Sequence, residues 1–313
     1  MKTRWGFIGA GYIAARALAP AVHAAHNATL YAVASRDAQR SQSLNPTKIH
    51  DSYEDLIADP DVDAIYISLA NDQHRRWAIA AMQAGKPVLC EKPMSLNLAE
   101  SQEMADVSKA TGQLLVEAVW SRWHPRTIRA VEAIANGEIG DVISIDTAFT
   151  YNADLTGNYR LDPTMGGGAL LDVGLYELHT WQALTAAPLQ LTIDSISRVV
   201  GDTGVDLTTE INATLPSGVK LHGLSSFIAP PLQKIYVVGT TGTLEFLEGE
   251  SFANWHAPSS LRINDEITHF DPVDPYQLMA EAFSAKLQGE DAWVLPMEDT
   301  LRIAATLDQI AAH

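Results

Sequence analysis

Trp5-Gly6-Phe7-Ile8-Gly9-Ala10-Gly11-Tyr12-Ile13-Ala14 decides how this chain is read. The apolar run before Gly9 reads as a strand, and the residues after Gly11 read as the start of a helix. Between them stands the G-x-G-x-x-G/A pattern in the setting it requires. Gly9 permits the tight turn, Gly11 lets a pyrophosphate approach the backbone, and Ala14 is small enough for helix–strand packing. The helix start supplies amide donors and the positive end of a dipole. Glycine pairs also make plain turns, but the strand–helix context favours a dinucleotide site over Gly9, Ala10, Gly11, Tyr12 and Ile13.

Outward from this turn, apolar runs alternate with helix-like segments, the pattern of βαβ units and a parallel sheet. Strands are expected at Arg4–Gly9, Thr29–Ser35, Ala64–Leu69, Pro87–Cys90 and Leu114–Val116, with a short piece at Lys48–His50. Helices are expected at Ile13–His23, Tyr53–Ala58, Gln73–Ala84 and Leu98–Thr111. Gly85 and Gly112 stand where helix stops belong. The pattern changes near residue 120. Beyond it come a helix at Arg126–Asn136, a strand at Val142–Tyr151 and a glycine-rich helix start at Gly166-Gly167-Gly168. A meander follows at Leu191–Val200, Leu207–Leu215, Val219–Phe227, Gln233–Val238 and Thr243–Leu247, and then two closing helices, Pro275–Leu287 and Glu298–Ala312. The expected domains are 1–120 for the dinucleotide and 121–313 for substrate and oligomerisation, the last helix having the option of packing back on the first.

Composition narrows the class. The chain has 313 residues, 47% apolar and 19% charged, with 21 basic against 38 acidic side chains and a net charge of −17. A chain of this length favours two cores over one. Its acidic field repels nucleic acid and anionic membrane, so neither is expected as a partner. One cysteine, Cys90, rules out an intrachain disulfide and fits a reducing cytoplasm. No stretch reads as a signal peptide or membrane span, and the histidines lack zinc spacing, so no metal is expected.

The end of the second strand, Ala34-Ser35-Arg36-Asp37, bears on the cofactor. An NAD site usually offers Asp or Glu to the ribose. Here Ser35 can donate to a 2′-phosphate, Arg36 can stack on adenine and pair the phosphate through its planar fork, and Arg40 lies one turn on. The plain alternative has Ser35 capping the next helix with Arg36 solvated, and Asp37 would serve NAD if the strand ended later. NADP(H) is favoured over NAD(H).

Lys92 follows a buried strand end, Pro87-Val88-Leu89-Cys90, and precedes Pro93, which fixes φ. A lysine at the carboxyl end of a parallel strand points into the ligand crevice of such sheets. Farther on, Asp172 and Tyr176 are four apart and share a helix face, with His179 close to it. Removing hydride from a secondary alcohol needs a group to take the hydroxyl proton. A phenol of pKa about 10 is a poor base until an ammonium stabilises its phenolate. Tyr176 is therefore the candidate proton donor and acceptor, with Lys92 as its electrostatic partner. Asp172 either orients substrate or lysine, or caps and pairs near the helix start.

Four motifs occur in order: Gly9-Ala10-Gly11-Tyr12-Ile13-Ala14, Asn71-Asp72-Gln73-His74, Cys90-Glu91-Lys92-Pro93, and Gly166-Gly167-Gly168-Ala169-Leu170-Leu171-Asp172-Val173-Gly174-Leu175-Tyr176. Over essentially its whole length the chain resembles the Gfo/Idh/MocA oxidoreductases. The resemblance implies a Rossmann domain followed by an α/β domain with a large, open, mainly antiparallel sheet. It implies that Lys92 lies beside nicotinamide and substrate, and that Leu69, Asn71, His74, Glu91 and Arg160 belong to the cofactor side, His74 by packing. Ser35-Arg36, Ser68-Leu69-Ala70-Asn71, Trp120-Ser121-Arg122-Trp123-His124-Pro125 and Asn158-Tyr159-Arg160-Leu161-Asp162-Pro163 resemble the NADP-linked dihydrodiol and aldose branch, although relatives often carry Pro where Ala70 stands. Tyr176 stands where inositol-dehydrogenase-like members place His.

Trp120, Arg122, His124 and His179 are the substrate-side candidates. Aromatic faces pack against pyranose C–H groups, but these tryptophans serve equally as interdomain packing, and His179 serves as a packing histidine. The activity expected is NADP-dependent, reversible hydride transfer with a sugar, polyol or cyclic diol, carried out by a homodimer or higher homo-oligomer. The alternatives are NAD-assisted glycoside cleavage and a non-catalytic dinucleotide-sensing regulator; retention of Lys92 and Tyr176 speaks against the last.

Overall fold

The expected alternation produces a six-stranded parallel sheet in a computed structural model that describes residues 1–185, 188–247, 251–252 and 255–313. Its strands are β1 (Thr3–Ile8), β2 (Ala28–Ala34), β3 (Lys48–His50), β4 (Ala64–Ile67), β5 (Val88–Cys90) and β6 (Leu115–Glu117). Their order is β3-β2-β1-β4-β5-β6, and every pairing is parallel. The chain starts at the centre, winds outward to β3, and returns to β4 on the other side of β1. This reversal is the Rossmann switch point, where the carboxyl ends of β1 and β4 open a crevice. β4 and β5 are buried at every position, as strands covered on both faces should be.

The chain divides into two compact units, Met1–Trp123 with Asp274–Thr300, and His124–Val273 with Leu301–His313. Helix Pro275–Leu287 therefore belongs to the Rossmann unit. It contacts β1 through Trp5, whose indole Nε1–H donates to Ser284 Oγ at 3.1 Å and whose ring centroid lies 5.1 Å from that of Phe283.

The second unit holds an eight-stranded sheet built from β7 (Val142–Asn152), β8 (Thr192–Val200), β9 (Asp206–Thr214), β10 (Lys220–Ser226), β11 (Ile228–Gly239), β12 (Thr243–Phe246), β13 (Ser259–Ile263) and β14 (Glu266–Phe270). The order is β14-β13-β12-β11-β7-β10-β9-β8, antiparallel except for the β7–β10 pair. The hairpin β13–β14 is an addition to the expected meander. β11 begins earlier than expected because its Pro230-Pro231 pair falls at a register irregularity between Ile228 and Leu232, where missing amide hydrogens break no ladder bond.

Helix Leu175–Thr185 lies on β7 and β10. Trp181 Nε1–H donates to Thr147 Oγ1 at 3.1 Å, while Glu177 Oε2 accepts from the Thr147 hydroxyl at 2.8 Å and the Leu224 amide at 2.9 Å. A Cβ at Gly223 would lie 2.7 Å from that Glu177 oxygen, so glycine makes room for the helix. Among the described residues no helix is long and apolar enough to cross a membrane.

Candidate active site

The glycine turn closes β1 as its sequence demands. Gly9 has φ +100°, and a Cβ there would collide with the Ser68 carbonyl oxygen at the end of β4. Gly11 differs. A Cβ on it would meet only Ser68 atoms at 3.8 and 3.9 Å, an ordinary contact, so packing does not require glycine. Its bare backbone suits close approach by a ligand. Ala10 and Ala14 are buried, Ile13 is half-buried, and Tyr12 is 75% exposed. Residues Ala14–Leu18 are π-wound, and the α-helix Ala19–Ala24 follows with Pro20 in its first turn.

At the end of β2, Asp37 rather than Ser35 caps the next helix. Its side chain accepts from the Gln39 and Arg40 amides and lies 3.4 Å from Arg40 Nε. The Ser35 hydroxyl donates to the Asp37 carbonyl at 2.7 Å and pairs with Ser41 Oγ at 2.8 Å. Arg36 is exposed and makes no ion pair among the described residues. These groups fit a dinucleotide in kind: a glycine turn at the end of β1 suited to a pyrophosphate, and the exposed Arg36 guanidinium after β2 suited to the adenosine end.

The loops after β4 and β5 are tied together by His74. This fully buried ring places Nδ1 2.9 Å from the Pro93 carbonyl and Nε2 3.2 Å from the Leu69 carbonyl. Burial lowers its pKa, so the neutral ring donates to one carbonyl at a time. The Lys92–Pro93 peptide is cis. Glu91 is buried, accepts the Tyr66 hydroxyl at 2.7 Å and the Lys92 amide at 3.2 Å, and so ties down the Lys92 backbone. Burial raises the Glu91 carboxyl despite the opposing Tyr66 hydroxyl and Lys92 charge. Glu117, at the end of β6, accepts the Met94 amide at 2.9 Å. Asn71 is buried at the start of helix Asn71–Gln83, and Lys92 is half-buried.

Trp120 stacks on Tyr276 at 5.0 Å, and Arg122 lies 5.6 Å from the Trp293 ring, which also meets Trp123 edge-on at 5.0 Å. All belong to the first unit.

In the second unit, Asp206 accepts the Leu170 amide at 2.8 Å and receives the chain leaving Gly168, whose φ is +116° and whose Cβ would strike the Asp206 carboxylate. The turn that follows, Leu170–Gly174, is π-wound and carries Asp172. Asp172 Oδ2 accepts Arg160 Nε–H at 2.7 Å and the Tyr151 hydroxyl at 3.2 Å. Tyr176 is buried, with its ring 5.7 Å from Phe149 and 6.4 Å from Phe252, which stack on each other at 5.3 Å. His179 is buried on the same helix. His124 caps helix Pro125–Ala135 by accepting the Arg126 amide at 3.0 Å; burial, and then the Arg126 charge, lower its pKa to about 4 and keep it neutral.

Tyr151, Tyr66, Glu117, Phe149 and Phe252 are absent from the expected set. Three had a signal: Phe149 and Tyr151 alternate along β7, and Glu117 ends a parallel strand just as Lys92 follows one. Among the described residues no group of three or more His, Cys, Asp or Glu is placed to hold a metal ion.

Residues 3–118 match the oxidoreductase family with an NAD-binding Rossmann fold, and residues 127–245 match the GFO/IDH/MocA C-terminal domain. The chain is 33% identical to a D-xylose 1-dehydrogenase (NADP(+)) of Haloferax volcanii, over 98% of this chain and 95% of the relative. It is 34% identical to a trans-1,2-dihydrobenzene-1,2-diol dehydrogenase of Mus musculus, over 87% and 81%. A 3-ketoreductase from Actinomadura kijaniata, crystallised with NADP and TDP-benzene, superposes with a TM-score of 0.90 at 26% identity, covering 100% of this chain and 98% of the other. Sequence and fold agree over both units: the chain belongs to the Gfo/Idh/MocA family of NAD(P)-dependent oxidoreductases.

Proposed function

We propose that this chain uses NADP(H) to interconvert a hydroxyl and a carbonyl on a sugar, polyol or cyclic diol, with Tyr176 handling the proton and Lys92 the developing oxyanion. The observation that carries it is the division of labour after β2: Asp37 is committed to capping a helix, and Arg36, exposed and without an ion pair among the described residues, is available to a 2′-phosphate. The xylose and dihydrodiol dehydrogenases among the relatives, and the NADP bound to the ketoreductase, support the substrate class and cofactor.

When bound, the nicotinamide supplies the hydride exchange. Every other step belongs to the chain. The glycine turn receives the pyrophosphate, and Arg36, with Ser35 and Arg40 nearby, holds the adenosine end. Glu91 fixes the Lys92 backbone and His74 fixes the Pro93 carbonyl, so the lysine stands on a braced loop. In carbonyl reduction the Tyr176 hydroxyl gives its proton to the substrate oxygen, and the Lys92 ammonium offsets the negative charge growing there. In oxidation the same oxygen takes the proton back, a transfer the ammonium eases by stabilising phenolate.

Turnover with aldoses, polyols and diols, read by absorbance of the reduced cofactor, tests this. Lys92→Met and Tyr176→Phe should each lower kcat by roughly 10²–10⁴-fold while NADPH binding persists. Near-wild-type turnover in Tyr176→Phe would overturn the proton assignment.

A further inference from the structure

One oxygen in the second unit gathers two donors. Asp172 Oδ2 accepts Arg160 Nε–H at 2.7 Å and the Tyr151 hydroxyl at 3.2 Å, in a setting where Asp172 is only 8% exposed. Both donors are held independently of that carboxylate. The Arg160 amide donates to Asn158 Oδ1 at 3.0 Å, its carbonyl accepts the Gly168 amide at 2.9 Å, and its guanidinium lies 4.9 Å from the Tyr159 ring centroid. The Tyr151 ring lies on strand β7, 5.2 Å from the wholly buried Phe227.

The carboxylate they hold sits in the π-wound turn Leu170–Gly174, directly before the helix that carries Tyr176. A π-wound turn departs from the regular i→i−4 ladder, so its shape depends more on ties to the surrounding fold. The tie here is charge-assisted, the stronger kind of hydrogen bond. Loss of the guanidinium would remove the charged one of these two donors from a buried carboxylate.

We propose that Arg160 and Tyr151 are positioning residues for proton transfer: acting through Asp172, they fix the turn from which Tyr176 is presented. This rests on the proton role proposed for Tyr176. Arg160 thereby acts through protein rather than on the cofactor, and Asp172 serves as a brace whose Oδ2 is committed. A misplaced reacting group can lose on the order of 10²-fold in rate without loss of fold.

The test uses the full chain and the best substrate from the turnover screen. Arg160→Gln should lower kcat by roughly 10–100-fold and Tyr151→Phe by a smaller factor, with NADP+ affinity kept within about twofold. Arg160→Lys should recover part of the loss. The solvent deuterium isotope effect on kcat should rise in Arg160→Gln and Tyr151→Phe, because the proton step is the one slowed. A purely structural defect would leave it unchanged.

Arg160→Gln combined with Asp172→Asn should be no slower than Asp172→Asn alone, because both act through one carboxylate. Multiplicative losses, or an unchanged isotope effect, would overturn the inference. So would an Arg160→Gln enzyme with normal kcat and about tenfold weaker NADP+ binding, which would place Arg160 at the cofactor. If Arg160→Gln fails to fold, Tyr151→Phe carries the same readouts. An active wild type with a Tyr176→Phe variant of equal rate overturns the Tyr176 reading and this inference with it. An inactive Tyr176→Phe with additive Arg160 and Asp172 losses overturns this inference alone.

Discussion

Glu177 follows Tyr176 in the chain but turns to the sheet, where it is 2% exposed. Burial raises its carboxyl from 4.5 to about 8, against the Thr147 hydroxyl and Leu224 amide that pull the other way. The folded protein therefore keeps this proton over an interval in which the unfolded chain releases it. Since the folded pKa lies above the unfolded one, the stability contribution is full below pH 4.5, falls as pH rises, and levels above about pH 8. Linkage over that interval gives a loss of about 3 kcal/mol by pH 7 and about 5 kcal/mol by pH 9. Glu177→Gln cannot ionise, yet keeps an oxygen for Thr147 and Leu224. Denaturant unfolding of both proteins at pH 5, 7 and 9 provides the assay, and the difference between them removes every titrating group they share. The variant should lie within about 1 kcal/mol of wild type at pH 5 and exceed it by about 3 kcal/mol at pH 7. Parallel curves would refute the protonated buried carboxyl, and a variant that falls further below wild type as pH rises would show that the charged form is the stabilising one.

Arg36→Ala should raise the KM for NADP+ by about tenfold or more and change that for NAD+ by less than about twofold, since one charge-assisted phosphate contact is worth roughly 1.5–3 kcal/mol; an equal effect on both would remove the 2′-phosphate assignment. Gly9→Ala places a Cβ against the Ser68 carbonyl at φ +100° and should cost about 2–4 kcal/mol of stability with loss of NADPH binding. Calorimetry and fluorescence titration read the two effects, and a variant that binds and melts like wild type would show that the turn can relax.

The parts of the fold legible in sequence are those in which one short stretch carries its own physics. The glycine turn, the short apolar strands of the parallel sheet and the glycine stops at Gly85 and Gly112 each follow from local chemistry. β13 and β14 escaped because β14 is almost entirely exposed and has little apolar alternation, although Asn264, with φ 54°, marks the hairpin between them. The early half of β11 was hidden by Pro230 and Pro231, which read as breakers until the bulge that accommodates them is seen. At the site, residue types at motif positions were readable, and their partners were not. Asp37 is called away from the ribose by two amides next to it, and Tyr151 reaches Asp172 across 21 residues, a pairing that only the packing of the π-wound turn beside β7 creates.

Trp5 also sets a schedule for synthesis. Its indole is completely shielded, yet two of the groups that shield it, Phe283 and Ser284, are nearly 280 residues later in the chain. A growing chain that has finished all six parallel strands still exposes this large ring until helix Pro275–Leu287 has left the ribosome. The nascent Rossmann sheet must wait with an adhesive spot on its first strand, and long-range closure of this kind is slow and exposed to aggregation. A chain stopped anywhere before residue 283 would carry every glycine of the dinucleotide turn and still lack part of the cover over its first strand.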